Sequence, residues 1–227
     1  MVLENIFTIN NLLIFLFNII GIFIFKYFLL NKNFLLDYTK KIQSTSYKKD
    51  IVLIGGIIIF LNILFLELID ISLNKLNIFY YFFVFIIGLI SDLKISFKAK
   101  YKFIILFLIS FIFLVFNKDF IINKISIYIF DELLFNFFII KLLFTVFCVT
   151  LYISGNNMID GIDGNSISHN IMVMFALIYF INEQNINNEI DKNFFIYFSL
   201  VLIILLVFNL KRILFLGDNG SYLLGSI

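Results

Sequence analysis

The chain has 227 residues, of which 62% are hydrophobic and only 14% are charged. Soluble domains typically carry about 25% charged residues, so this composition excludes an ordinary water-soluble protein and indicates a polytopic membrane protein. The formal net charge of +2 is less informative about the protein's organisation than the positions of the charges along the chain. We expect no nucleic-acid partner.

Seven apolar runs, taken in chain order, predict membrane-spanning helices, because about 20 apolar residues cross the hydrocarbon core. The first run has no small-residue cleavage site and therefore predicts a membrane helix rather than a signal peptide. An eighth run opens at Tyr222. We predict an all-α, polytopic integral membrane protein with about seven to eight transmembrane helices, forming a single domain over residues 1–227. The runs cover residues 12–30, 51–69, 78–90, 103–116, 135–153, 166–181 and 194–210.

Lysines alternate between the loops in a way that predicts the orientation of these helices. Basic residues favour the cytoplasmic side, and they are most frequent after the first and third runs. This pattern predicts seven crossings with the N-terminus outside, and it places loops 31–50, 91–102, 154–165 and 209–220 in the cytoplasm. We therefore expect one acidic site at the cytoplasmic membrane face, formed by Asp92, Asp160, Asp163 and Asp218.

The stretch SGNNMIDGIDG places two carboxylates among glycines. Asp160 and Asp163 are three residues apart, so on a helical turn they share a face. Gly161 and Gly164 lack side chains, which lets a ligand approach the backbone, and Asn157 adds an amide. Clustered hard oxygen ligands suit Mg²⁺ bound together with substrate phosphates. The alternative is a polar turn that caps the next helix.

Other polar segments also lie beside apolar runs. In FLGDNGSYLLG, Asp218 precedes a helix whose N-terminus could bind a phosphate, and a simple capped turn is the alternative. In GLISDLKISFKAKYKF, Asp92 ends an apolar run, and the lysines that follow either bind phosphates or anchor the chain to anionic lipid. Gly55 and Gly56 predict close helix packing. His169 predicts a hydrogen-bonded interfacial role.

These motifs, in this order, resemble those of the polyprenyl-phosphate N-acetylhexosamine-1-phosphate transferase family (glycosyltransferase family 4), which includes phospho-MurNAc-pentapeptide transferase. GLISDL is similar to its Asp-Asp motif, NNMIDGIDG to its Asn-x-x-Asp-Gly-x-Asp-Gly motif, and FLGDNGSYLLG to its Gly-Asp-x-Gly-Ser motif. IGGIIIF resembles the Gly-Gly stretch of its second helix. The resemblance covers nearly the whole chain and rests on the ordered set, because any one motif is weak.

The resemblance implies an enzyme that moves a sugar 1-phosphate, of the N-acetylhexosamine type, from a UDP-sugar to polyprenyl (undecaprenyl) phosphate and releases UMP. This reaction starts the synthesis of cell-envelope polysaccharide, such as lipopolysaccharide O-antigen. It implies a place in the bacterial inner (plasma) membrane with a cytoplasmic active site. A homodimer stays open.

The resemblance also implies residue roles. Asn157 and Asp218 would hold Mg²⁺, with Mn²⁺ as an alternative metal. Asp160 and Asp163 would line the nucleotide-sugar site, and Asp92 would belong to the catalytic acidic pair. The implied substrate-binding residues are Lys98, Lys100, Lys102, Gly161 and Gly164.

Departures from the family pattern keep two other functions open. Ser91 stands where the family has the first paired aspartate, and Ser154 stands where it has an asparagine. The family also continues beyond the Gly-Asp-x-Gly-Ser helix, which predicts that its C-terminal part is missing here. One alternative is therefore a catalytically inactive, truncated member. The other is a membrane transporter, although the acids lie at predicted helix ends and no inverted repeat is visible.

Overall fold

A computed structural model of the chain describes residues 9–32, 34–36, 51–68, 75–93, 98–183 and 189–227. These residues are mostly helical, and a short 3₁₀ turn covers Lys118–Phe120. Two short strands, β1 (Val52–Leu53) and β2 (Leu214–Phe215), pair with each other. The helices are α1 (Ile9–Lys32), α2 (Gly55–Leu68), α3 (Lys75–Asp92), α4 (Ala99–Phe116), α5 (Tyr128–Asn136), α6 (Phe138–Ile159), α7 (Asn165–Glu183), α8 (Glu189–Leu210) and α9 (Gly217–Ser226).

Within the described residues, five helices are long and apolar enough to cross a membrane. They are Leu13–Lys32, Lys75–Asp92, Ala99–Phe116, Phe138–Ile159 and Lys192–Leu210. The prediction of a mostly helical membrane protein is therefore confirmed. A count of seven to eight spans stays a prediction, because α2 is apolar but has only 14 residues, and α7 and α9 are not among the five. Helix α5 was not predicted.

The two strands set α2 and α9 side by side. β1 and β2 are parallel, with Val52 opposite Leu214 and Leu53 opposite Phe215. One residue after each strand, a helix begins, so the parallel pair brings the N-termini of α2 and α9 to the same edge. The sequence did not predict these strands, because two residues are too few to show an alternating pattern. The predicted span 51–69 therefore begins with extended backbone and becomes helical at Gly55.

Helix α9 is the buried centre around which α2, α3 and α6 pack. Glycines of the neighbouring helices contact α9 so closely that no side chain would fit at their positions. A Cβ atom on Gly56 would lie 1.9 Å from Asn219 Oδ1, and a Cβ atom on Gly88 would lie 2.3 Å from Asn219 Cα. Gly55 is also tightly packed, since its Cβ would lie 2.7 Å from Leu216 Cα. The predicted close packing at Gly55 and Gly56 is confirmed, and it fixes α9 against the bundle.

A pair of buried amides joins α1 to α2. Asn18 and Asn62 are fully buried and donate to each other, with Nδ2–Oδ1 distances of 2.9 and 2.8 Å. Each also donates to the carbonyl four residues earlier, on Ile14 and Ile58. The amides are thus satisfied within the apolar bundle, where an unpaired amide would be costly.

The predicted loop 154–165 is mostly helix. Helix α6 continues to Ile159, and α7 begins at Asn165, so only residues 160–164 connect them. The polar residues of this stretch stay helical because neighbouring helices accept and donate their hydrogen bonds. The lysines at 40, 41, 48 and 49, which contributed to the predicted orientation, lie outside the described residues.

Candidate active site

The carboxylate of Asp92 binds the N-terminus of α9. Its Oδ1 accepts a hydrogen bond from the Asp218 backbone N–H at 2.8 Å, and its Oδ2 accepts one from the Asn219 N–H at 3.0 Å. Free N–H groups at a helix N-terminus attract anions, and here the chain supplies the anion itself. The phosphate site considered at this helix end is therefore occupied by Asp92. Gly217 is required there, because it has φ +75° and a Cβ would lie 2.7 Å from Asp92 Oδ2.

Three side chains from three helices form a closed hydrogen-bonded ring. Lys102, in the first turns of α4, places its Nζ 2.8 Å from Asp218 Oδ2. Ser91, at the end of α3, donates to the same Oδ2 and accepts from the Lys102 ammonium. The Lys102 and Asp218 side chains are 20% and 28% exposed, so the ion pair is neither fully buried nor fully solvated. The ring brings the ends of α3, α4 and α9 together.

Asn157 reaches the same helix end through Ser221. The Ser221 hydroxyl donates to Asn157 Oδ1, and it also lies 3.2 Å from the Asp218 carbonyl oxygen. The two residues implied as metal ligands, Asn157 and Asp218, are therefore joined by one serine of α9.

The side chain of Asn156, the residue before Asn157, is buried and joins α6 to α7 and α9. It is 3% exposed. Its Nδ2 donates to the Ser221 carbonyl at 2.6 Å, and its Oδ1 accepts from Asn170 Nδ2 at 2.8 Å and from the Ser166 hydroxyl at 3.2 Å. These contacts hold α6 and α7 against α9. Asn156 therefore fixes the backbone that carries Asn157 and Asp160.

Asp160 and Asp163 both lie in the turn between α6 and α7. Asp160 directly follows the last residue of α6, so the two acids do not share one helix face as predicted. Asp163 Oδ2 lies 2.9 Å from Arg212 Nε, which ties the turn to the segment between α8 and β2. Burial, together with the charges of Asp218, Asp92 and Asp163, raises the pKa of Asp160 to about 8. The four acids thus act on one another electrostatically.

The remaining predicted site residues lie at the start of α4 and in the turn between α6 and α7. Lys98 and Lys100 are exposed at the start of α4. Gly161 is exposed, and a Cβ there would meet ordinary contacts at 3.5 Å. Gly164 is buried, with φ +77°, and the side chains of α8 fill the space in front of it. Gly164 therefore shapes the turn in this structure, whereas Gly161 leaves its backbone accessible.

The family Glycosyl transferase family 4 matches residues 74–227, which is more than half of the chain. The chain belongs to Glycosyl transferase family 4. No curated protein matches it. Membership supports a sugar-phosphate transferase reaction and a membrane setting, with sugar-nucleotide and lipid-phosphate substrates.

The residues implied as metal ligands in this glycosyl transferase family member have side chains of the type that magnesium prefers. In the described part of the chain, no three His, Cys, Asp or Glu side chains come close enough to hold a metal ion. Mg²⁺ usually takes one or two protein carboxylates and completes its shell with water and phosphate oxygens, so such a triad is not required. Asp218 and Asn157 offer hard oxygens.

Sequence reasoning missed the residues that arrange the acids. Asn156 and Arg212 were not singled out, although Asn156 ties α6 to α9 through the Ser221 carbonyl and Arg212 contacts Asp163. Ser221 was considered only as a possible cap of α9, whereas its hydroxyl donates to Asn157. Helical periodicity could have identified Asn156, because continuing α6 through the motif places it three residues after the buried Ile153. His169 forms the kind of hydrogen bond that was predicted, with its Nε2 3.3 Å from the Tyr152 hydroxyl.

Proposed function

We propose that this protein transfers an N-acetylhexosamine 1-phosphate from a UDP-sugar to polyprenyl phosphate, releases UMP, and so starts cell-envelope polysaccharide synthesis. The observation that carries the proposal is that Asp92, Asp163 and Asp218 lie near enough to Asp160 to raise its pKa, at a place where apolar helices end. A water-soluble nucleotide and a membrane-anchored phosphate can both reach such a place. Family membership supports the substrate classes.

The proposed chemistry requires positioning and charge neutralisation more than covalent help from the protein. An oxygen of the lipid phosphate attacks the β-phosphorus of the UDP-sugar and forms a new P–O bond. The bond between that phosphorus and the oxygen bridging it to the α-phosphate breaks, and UMP leaves with that oxygen. Cations that neutralise the phosphates lower the barrier to such a displacement.

Each acid has its own proposed role. Asn157 and Asp218 hold Mg²⁺, with Mn²⁺ as an alternative metal. The metal would neutralise the pyrophosphate and polarise its phosphorus–oxygen bonds. Asp160 and Asp163 line the nucleotide-sugar site beside the accessible backbone of Gly161.

The contacts of Asp92 and the exposure of the lysines support the roles that we propose for them. Asp92 was predicted as a catalytic acid. Both its oxygens bind α9, which supports a role in positioning Asp218. Lys98 and Lys100 are exposed at the start of α4, where they can bind phosphates.

A radiolabelled transfer assay tests the proposal. Purified protein, UDP-GlcNAc labelled in the sugar, polyprenyl phosphate and Mg²⁺ should yield labelled lipid, and Asp218→Ala should abolish it through loss of the metal ligand. Ser91→Asp restores the family residue, so a rise in turnover would identify the serine as a lesion. No transfer from any common UDP-N-acetylhexosamine would refute the activity.

A catalytically inactive, ligand-binding member is the second candidate. The observation favouring it is that Asp218 Oδ2 is already engaged by Lys102 and Ser91. Such a protein would bind a UDP-sugar in equilibrium dialysis without turning it over. The transporter hypothesis is weaker, since the four acids meet at helix ends rather than along a path through the bundle.

We also propose that the site faces the cytoplasm of a bacterial inner membrane. Lys100→Cys lies at the site end of α4, and Lys118→Cys lies just beyond its other end. In intact spheroplasts, a membrane-impermeant maleimide should label the second variant and spare the first. Labelling of the first alone would reverse the orientation.

A further inference from the structure

Lys102 differs from the lysines that precede it on the same helix. Lys98 and Lys100 are exposed, whereas Lys102 turns inward and contacts both Ser91 and Asp218. Its ammonium lies 2.8 Å from Asp218 Oδ2, the carboxylate oxygen that also accepts the Ser91 hydroxyl hydrogen. The ammonium thus occupies the place next to Asp218 that a bound cation would take.

The surrounding charges make this contact more than an ordinary surface ion pair. Asp218, Asp92 and Asp163 lie near enough to Asp160 to act on it electrostatically, and Arg212 contacts Asp163. Lys102 is the cation that the described structure places on Asp218. Because both side chains are partly exposed, a cation from solution can reach the carboxylate.

We propose that Lys102 is an exchangeable counter-ion: its ammonium and a divalent cation compete for the Asp218 carboxylate. The inference rests on the proposed function, because it takes Asp218 as the metal ligand. Two cations in contact with one carboxylate repel each other, so the metal binds as the ammonium leaves. The released ammonium can then bind a substrate phosphate, which links metal binding to phosphate binding.

Ser91 makes the exchange depend on Asp218. Its hydroxyl accepts a hydrogen bond from Lys102, but a neutral serine cannot balance the ammonium's charge. A carboxylate at this position would hold the lysine whether or not the metal were bound. With serine, the ammonium is held mainly by Asp218 and is free to leave when a metal takes its place.

The test measures Mn²⁺ binding, in the absence of any substrate, from the electron paramagnetic resonance signal of the free ion. Purified wild type is compared with Lys102→Met, which removes the competitor, and with Lys102→Gln, which keeps a hydrogen-bond donor in case the first variant fails to fold. Lys100→Met removes an equal charge two residues away on the same helix and controls for general electrostatics. Asp218→Asn reports whether the binding uses the expected carboxylate.

We expect Lys102→Met and Lys102→Gln to bind Mn²⁺ about fivefold more tightly than wild type, or more, which corresponds to losing an ion pair of about 1 kcal/mol. Lys100→Met should change the affinity by less than about twofold, because exposed charges are screened. Unchanged or weaker binding in both Lys102 variants, with Asp218-dependent binding in wild type, overturns the inference and leaves the proposed function standing. Absence of Asp218-dependent binding in every protein overturns both.

Discussion

Replacing Asp160 by asparagine should stabilise the protein, and the gain should grow with pH. The burial of this carboxylate and the charges of Asp218, Asp92 and Asp163 raise its pKa from 3.8 to about 8. In the unfolded chain the carboxyl group loses its proton near pH 4, whereas in the folded protein it keeps it up to about pH 8. The folded state therefore binds more protons between these values, and the stability of wild type falls as pH rises through that window.

The size of the effect follows from the shift. Each pKa unit corresponds to about 1.4 kcal/mol, so the full shift sets a ceiling of about 6 kcal/mol above pH 8. Water reaches part of the carboxylate and screens it, which reduces the expected gain to about 2–4 kcal/mol. Near pH 4 the gain should vanish, because the carboxyl group is then protonated in the folded state and is matched by the neutral amide.

Thermal unfolding of detergent-solubilised protein in EDTA, from pH 5 to pH 9, measures this difference. Glu183→Gln, at the exposed end of α7, removes one acid far from the cluster and should change stability by less than about 0.5 kcal/mol. A stability difference between Asp160→Asn and wild type that is the same at every pH would refute the reasoning. The variant should also lose transferase activity, because active-site acids are often kept at the expense of stability.

Further substitutions test the packing that holds the site, each by thermal unfolding. Gly88→Ala should lower the free energy of unfolding by about 1–3 kcal/mol, because its Cβ would overlap the α9 backbone. In Gly155→Ala the new Cβ meets nothing within 4 Å, so this variant should be more stable by up to about 1 kcal/mol. Equal effects of the two substitutions would contradict the close packing at Gly88. Asn18→Leu and Asn62→Leu should show a coupling of about 1 kcal/mol in a double-mutant cycle, and additive losses would mean that the amides do not pair. Asn156→Leu leaves hydrogen-bonding partners on α7 and α9 unpaired, so it should lower the free energy of unfolding by about 3 kcal/mol and also lower turnover. A stable, fully active variant would exclude the positioning role of Asn156.

Much of the helical framework could be predicted from apolar runs alone. The runs at 103–116 and 194–210 end at the same residues as α4 and α8. Local hydrophobicity is enough here, because a membrane helix satisfies its own backbone hydrogen bonds. The starts were less accurate, since polar residues such as Lys100 belong to the first turns of these helices.

The interior of the site could not be predicted, because tertiary contacts decide it. Asp92 caps a helix 126 residues further along the chain. No local sequence pattern predicts a contact between residues so far apart in the chain. Asn156 and Asn157 are adjacent, yet one is buried among three helices and the other reaches towards Asp218. The motif indicated which residues belong together, and the packing of α9 determined which of them face a ligand.

Ser91 departs from the family motif, and the ring that it forms with Lys102 and Asp218 shows which side chains this serine contacts. From the sequence, Ser91 was only a missing carboxylate. In the structure its hydroxyl joins a lysine and an aspartate from two other helices. Whether this ring is a lesion or an adaptation is decided by turnover and metal affinity.

The identity of the nucleotide product tests the central claim most directly. Purified protein is incubated with a UDP-N-acetylhexosamine, polyprenyl phosphate and Mg²⁺, and the nucleotide and lipid products are resolved by mass spectrometry. Attack at the β-phosphorus predicts UMP in equal amount with a polyprenyl diphosphate sugar, and neither product with Asp218→Asn. Release of UDP with a lipid monophosphate sugar, or equal turnover without Asp218, would contradict a sugar 1-phosphate transferase built on these acids.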